Sequence, residues 1–186
     1  MTKVNNNEKI IVGLDPGTRI MGYAALLVQN SRLKLLQYGV IRLEKYSGYE
    51  LKLKKIFERV TGLIEEFSPD EIALEAPFYG KNVQSMLKLG RAQGVAMAAA
   101  LHHQIPIAEY APKKVKQSVT GNGNASKEQV AKMMQTLLNI KETPKLLDAT
   151  DALAVAITHY FQARPKKGTS KSWKAFIADN PGRIKS

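Results

Sequence analysis

"IIVGLDPGTRIMGYAAL", Ile10 to Leu26, is an apolar run that ends on one carboxylate, Asp15, breaks at Pro16-Gly17, and resumes as a second apolar run. Asp15-Pro16-Gly17-Thr18 fits a type II turn: Asp suits the first position, Pro presets φ at the second, and Gly accepts the positive φ required at the third. A turn explains the break. It does not explain why a strand of buried character ends in a charge. "EIALE", residues 71–75, repeats the design, since it is short and apolar, ends on Glu75, and stops at Ala76-Pro77.

The intervening chain shows how the two ends can meet. Residues 20–28 and 33–43 read as strands joined by a hairpin turn at Asn30-Ser31. From Tyr49 to Phe67, Leu53, Ile56, Phe57, Val60, Leu63, Ile64 and Phe67 recur at helical spacing. Such a helix carries strand 71–75 back beside strand 10–15 in parallel, through a crossover of the usual right hand. Asp15 and Glu75 then emerge at one edge of the sheet, where sites form in open α/β folds.

Further along, residues 82–103 read as a helix rich in Ala, Leu and Met, with Gly90 and Gly94 permitting close packing on a neighbouring element. "IPIAEY", 105–110, reads as a fifth strand and 112–120 as a basic helix. "GNGN", 121–124, is a loop, and Ser126 with Gln129 makes a capping box for a helix burying Val130, Met133, Met134, Leu137 and Leu138. A last helix covers 147–161, with an Ala/Leu/Ile face. The order β-β-β-α-β-α-β-α-α-α predicts an α/β fold with a five-stranded mixed sheet and helices on both faces. One domain, 1–162, is expected, followed by a basic C-terminal tail, 163–186, read as a flexible arm.

A third acidic group lies on the last helix. Asp148 and Asp151 are three apart, so they share a helix face. An acid near a helix start is ordinary, which suffices for Asp148. It suffices less for Asp151, flanked by Ala152, Leu153, Ala154 and Val155. Asp15, Glu75, Asp148 and Asp151 together would repel one another unless a cation sat among them. Oxygen ligands without thiolates select hard cations such as Mg²⁺ or Mn²⁺, and two such ions about 3.5–4 Å apart can clamp a phosphodiester.

Composition agrees. The 186 residues carry a net charge of +12, a balance that points to polyanions, nucleic acid first. The tail contributes seven basic residues against one Asp, so the body is basic in its own right. There is no Cys, which excludes disulfides and thiolate zinc sites. The polar start lacks the apolar core of a signal peptide, and no apolar run nears the ~18 residues of a membrane span. A cytoplasmic protein with no membrane association is expected.

"GLDPGTRIMGYA", "LEAPFYGKNVQSMLKLGRAQGVA", "YAPKKVKQSVTGNGNASKEQV" and "DATDALAVAITHY" closely resemble the motifs of the RuvC family of Holliday-junction resolvases, in the same order and spacing from about residue 9 to 161. The resemblance implies an RNase H-like fold, a homodimer, and Mg²⁺-dependent cleavage of four-way DNA junctions. It implies symmetric nicks that leave 5′-phosphates, and a branch-migration partner of the RuvA–RuvB type. By it, Asp15, Glu75, Asp148 and Asp151 fall on the catalytic acids, Phe78 on the aromatic that stacks on junction bases, and Lys116 and Lys127 on lysines near the scissile phosphate. Without it, Phe78 is equally a loop aromatic packed on the core, and the lysines a solvated face. Lys127 adds one physical hint, because the first turn of a helix disfavours a cation unless a phosphate is near. His102, His103 and His159 are given no ligand role.

Three other readings compete. An actin-like nucleotide-binding ATPase also opens with a strand, an acid and a Gly-Thr turn, but needs a second phosphate loop and a longer chain. A non-catalytic basic nucleic-acid-binding module leaves the four acids unexplained. An RNase H-like nuclease acting on RNA shares the acids but not the block "KNVQSMLKLG" with Lys116 and Lys127.

Overall fold

The computed structural model describes residues 8–77, 82–140 and 147–163. Ten elements follow one another as β1 (Glu8–Asp15), β2 (Ile20–Gln29), β3 (Arg32–Arg42), α1 (Tyr49–Phe67), β4 (Glu71–Glu75), α2 (Val83–His102), β5 (Ile107–Tyr110), α3 (Pro112–Thr120), α4 (Lys127–Leu138) and α5 (Leu147–Ala163). This is the order expected from the sequence. The sheet runs β3-β2-β1-β4-β5. β1 pairs antiparallel with β2 and parallel with β4, so the crossover through α1 brings the two acid-tipped strands side by side.

Alternation along the strands divides the core in two. Val12, Leu14, Met21, Tyr23, Ile72 and Leu74 face α1 and α2. Ile11, Ala24, Leu26 and Ala73 face α3, α4 and α5. Period-2 patterning on a sheet covered on both sides requires this segregation. Helices therefore occupy both faces, as in an RNase H-like fold.

Local chemistry fixes the turns. Asn30 and Ser31 both take positive φ, 50° and 63°, which makes the two-residue type I′ hairpin that pairs Gln29 with Arg32. The Tyr160 hydroxyl donates to the Ser31 carbonyl at 2.8 Å and so ties this hairpin to α5. The capping box of α4 is complete, with Ser126 Oγ accepting from Gln129 N and Gln129 Oε1 accepting from Ser126 N.

Several expectations need correction. Gly17 is not in the positive-φ region, so residues 15–18 are not a type II turn. A Cβ there would lie 1.8 Å from the Ile20 carbonyl oxygen, so close approach requires glycine, not φ. Gly90 and Gly94 have nothing within 4 Å of where a Cβ would stand, so among the described residues they serve no close packing. Phe57 and Leu137 are exposed, because the apolar stripes of α1 and α4 are wider than the surface each helix buries. β5 starts at Ile107 rather than 105; Pro106 has no N–H to pair, and contributes only its carbonyl, which accepts from Ile72 N. The last helix is not buried on one face alone. From Ala149 to Tyr160 every residue of α5 except Asp151 is buried, because it is enclosed by the sheet on one side and by α3 and α4 on the other.

α5 can lie this close to the sheet because two strand residues lack side chains. A Cβ on Gly22 would stand 2.0 Å from the Asp148 carbonyl oxygen, and one on Gly13 would stand 2.2 Å from that of Ala152. The tail expected at 163–186 lies outside the described residues from 164 onward.

Candidate active site

Asp15 terminates β1 and Glu75 terminates the adjacent parallel strand β4, so both project from one edge of the sheet. α5 crosses beneath that edge and presents Asp148 and Asp151 from its first turns. Asp15, Asp148 and Asp151 each bring a carboxylate oxygen within 4.8 Å of the other two. Glu75 stands outside this trio but lines the same cleft, of about 690 Å³, with Asp15, Asp151, Lys116 and Lys127. Phe78 lies outside the described residues.

Electrostatics mark the cluster as short of positive charge. Burial pushes the Asp15 carboxyl well above its usual range, and the charges of Glu75, Asp151 and Asp148 add to the rise while Lys127 opposes it. Burial, then the charge of Asp151, raises Glu75 from 4.5 to about 7 against the pull of Lys127 and Lys116. Burial also raises Asp151, although Lys127 bonds to it. Loss of hydration outweighs one ammonium here.

That ammonium sits on the cluster. Lys127 Nζ is 2.5 Å from Asp151 Oδ2 and 3.3 Å from Asp148 Oδ1. Burial alone would lower the lysine; its hydrogen bond to Asp151 and the two negative charges outweigh that and hold it well above its ordinary value. Lys127 is the first residue of α4, where the helix dipole opposes a cation. The sequence led us to expect a phosphate as compensation, and the structure shows that the acids of α5 already provide it. Lys116 lines the cleft from α3, and its charge is felt by both Glu75 and Asp151.

Sequence reasoning passed over part of the wall. Lys113 and Asn124 also line the cleft. Asn124 is held there by a locked loop. Gln117 donates to the Gly121 carbonyl and accepts from Gly123 N, while Asn122 Oδ1 accepts from Asn124 N. "GNGN" is therefore a rigid rim, and the signal was Gln117 one turn upstream. His159 is a second omission. Its Nδ1 meets the Tyr110 hydroxyl at 2.8 Å and its Nε2 meets Glu71, which Lys9 also pairs at 2.5 Å. This polar chain ties α5 to β4 and β5.

A donor set made only of carboxylate oxygens, already seating a cation, fits a hard divalent ion. Among the described residues no helix is long and apolar enough to cross a membrane.

Comparison with known proteins identifies the family. The family model described as "Crossover junction endodeoxyribonuclease RuvC" matches residues 11–159. The crossover junction endodeoxyribonuclease RuvC of Cytophaga hutchinsonii is 60% identical over 179 residues, covering 96% of this chain and 90% of its own. That of Porphyromonas gingivalis is 57% identical over 185 residues, covering 96% and 98%. Among solved structures, Thermus thermophilus RuvC in complex with Holliday junction substrate superposes with a TM-score of 0.78 at 32% identity, over 84% of this chain and 95% of that one. The chain belongs to the RuvC family of crossover junction endodeoxyribonucleases.

Proposed function

We propose that this protein resolves four-way DNA junctions by metal-assisted hydrolysis of paired phosphodiesters, nicking symmetrically and leaving 5′-phosphates. One observation carries the reading: three carboxylates converge within 4.8 Å, two of them in a cleft that Lys113, Lys116 and Lys127 also line. Family membership supports it and leaves the ATPase and non-catalytic readings without support.

In this reading Asp15, Glu75, Asp148 and Asp151 hold the divalent ions, two per site, with Mg²⁺ the natural choice and Mn²⁺ a substitute. Ions held there supply Lewis-acid stabilisation of charge on the phosphodiester. Burial holds the Asp15 and Glu75 carboxyls high in the free protein, and bound cations would favour their ionised forms. Lys127 pairs with Asp148 and Asp151 in the free protein, and its ammonium would face the phosphate were those acids to hold ions instead. Lys116 supports developing negative charge from the opposite wall. Phe78 stacks on bases at the crossover.

Two cuts need two sites, and a homodimer supplies them. Val83, Leu87, Gly90 and Gly94 follow one another at spacings of four, three and four, which places them along one face of α2. Val83 and Leu87 are 66% and 50% exposed, and among the described residues a Cβ on either glycine would meet nothing within 4 Å. A second copy of this chain covers that face in the proposed dimer. The branch-migration partner of the RuvA–RuvB type and a cytoplasmic location belong to the same proposal.

The test incubates the protein with labelled four-way junction, duplex DNA and RNA–DNA hybrid, each with Mg²⁺ or with EDTA. Paired, symmetric cuts in the junction alone, with Mg²⁺ alone, are expected. Preferential cutting of the hybrid, or cutting in EDTA, refutes the reading.

A further inference from the structure

The acids have cations on one side, from α3 and α4. A second basic cleft, of about 330 Å³, lies on the other side. Thr18 and Arg19 line it from the loop after β1, Tyr46 from the turn before α1, Tyr49 and Lys52 from the start of α1, and Lys88 from α2. Among the described residues no acidic side chain lines it. Among the described residues, Arg19, Lys52 and Lys88 form no ion pair, whereas Lys54 and Lys55 on the same helix both pair with Glu58. Three unpaired cations at one concavity repel each other, and an anion relieves that repulsion.

The cleft is held together from outside its charged groups. The Tyr49 hydroxyl donates to the Lys88 carbonyl at 2.5 Å, which locks α1 to α2. Leu43 N and Glu44 N both donate to the Arg19 carbonyl, at 2.8 and 3.0 Å, which locks the loop after β1 to the exit of β3. Three chain segments are thus fixed with their cations facing one space.

Neighbouring residues of the chain line a hollow at the acids. A smaller hollow of about 190 Å³ is lined by Asp15, Pro16, Glu75 and, from α2, Leu89. Pro16 is two residues from Thr18, and Leu89 is next to Lys88. The acids stand at the strand tips, α2 covers one face of the sheet, and α3 and α4 cover the other. A polyanion lying across the acids therefore meets Lys116 and Lys127 on one face and the second basic cleft on the other.

We infer that Arg19, Lys52 and Lys88 form a second backbone-phosphate site, which grips the DNA strand on the α1–α2 side of the acids. The inference rests on the junction-cutting reading. It assigns these residues to strand positioning and not to the chemistry.

The experiment replaces junction phosphates one at a time by neutral methylphosphonates and measures binding in Ca²⁺, for wild type and Arg19→Ala/Lys52→Ala. Wild type is expected to show one sensitive phosphate away from the scissile position, costing about tenfold in affinity. In the double variant that phosphate loses its effect, the slope of log K against log salt falls by about 0.9 in magnitude, and cutting of saturating junction in Mg²⁺ is unchanged. No sensitive phosphate beyond the scissile region in wild type overturns the inference, even if the variant fails to fold. An unchanged pattern in a folded variant overturns it too. Protection of wild type but not the variant by a deoxynucleoside monophosphate, without any sensitive junction phosphate, assigns the cleft to a small phosphate ligand instead. If wild type does not cut junctions at all, the functional reading fails first, and the two failures are distinguished.

Discussion

Glu75→Gln should make the metal-free protein more stable, although it removes a residue proposed to be essential. Folding raises the Glu75 carboxyl from 4.5 to about 7, chiefly by burial and then by the charge of Asp151. The folded state thus binds this proton more tightly than the unfolded state does, so its stability is highest at low pH. It falls as pH rises from about 4.5 through about 7. At ~1.4 kcal/mol for each tenfold change in proton affinity, the penalty at pH 8 is about 3 kcal/mol. A neutral amide of the same shape escapes it. For a domain of this size ~1 kcal/mol moves Tm by about 2–4 °C, so the variant should melt about 6–12 °C higher than wild type at pH 8 in EDTA. At pH 5 wild type is already largely protonated when folded, and the gap should shrink to below ~1 kcal/mol. Adding Mg²⁺ at pH 8 should narrow the gap by stabilising wild type alone. Thermal unfolding followed by circular dichroism reads all three conditions. A variant no more stable than wild type at pH 8, or a gain that persists undiminished at pH 5, would refute the account of Glu75 as a carboxylate strained by missing positive charge.

Asp15→Asn and Asp151→Asn should each abolish junction cutting in Mg²⁺ while junction binding, read by gel shift, stays equal or tightens; Asp148→Asn, from the rim of the cluster, should lose least. Lys127→Ala should lower Tm in EDTA at pH 8, because the ammonium on Asp151 and Asp148 goes, and should slow turnover at saturating junction more than it weakens binding. If the proposed dimer forms through α2, Leu87→Glu should give a monomer in light scattering where wild type gives a dimer, and lose paired cutting, with the monomer still folded by circular dichroism. Burial alone would raise Glu71, but hydrogen bonds from Lys9 and His159 outweigh it and hold the carboxyl low; stability from this contact is therefore present above the ordinary carboxylate range and lost as pH falls below it, and Glu71→Gln should flatten the acid limb of a urea-midpoint titration.

The acid-tipped ends of β1 and β4, the hairpin at Asn30-Ser31 and the capping box at Ser126 were legible because each is decided by residues close in sequence. The meeting of Asp15 with Glu75 was legible for a different reason: a helix of suitable length between two short apolar runs leaves few topologies. Lys127 on Asp148 and Asp151 was not legible, since it depends on how α4 lies against α5. The second basic cleft draws on three segments far apart in the chain, each an ordinary solvated stretch by itself. Gly17, Gly90 and Gly94 were misread because a glycine in sequence does not say whether φ, a close neighbour or an empty face requires it. His159 was passed over because a helical histidine gives no sign of partners on β4 and β5.

The spacing of the acids is set where no acid stands. Asp148 and Asp151 ride on α5, whose height above the sheet is limited by bare backbone at Gly13 and Gly22. One methyl group at residue 22 would collide with the Asp148 carbonyl and lift the helix as a body, carrying both carboxylates away from Asp15 together. The aperture into which a divalent ion must fit is thus gauged by two hydrogen atoms on strands β1 and β2. A chain could keep every charged residue of the cluster and still lose the ion by acquiring a side chain at either point.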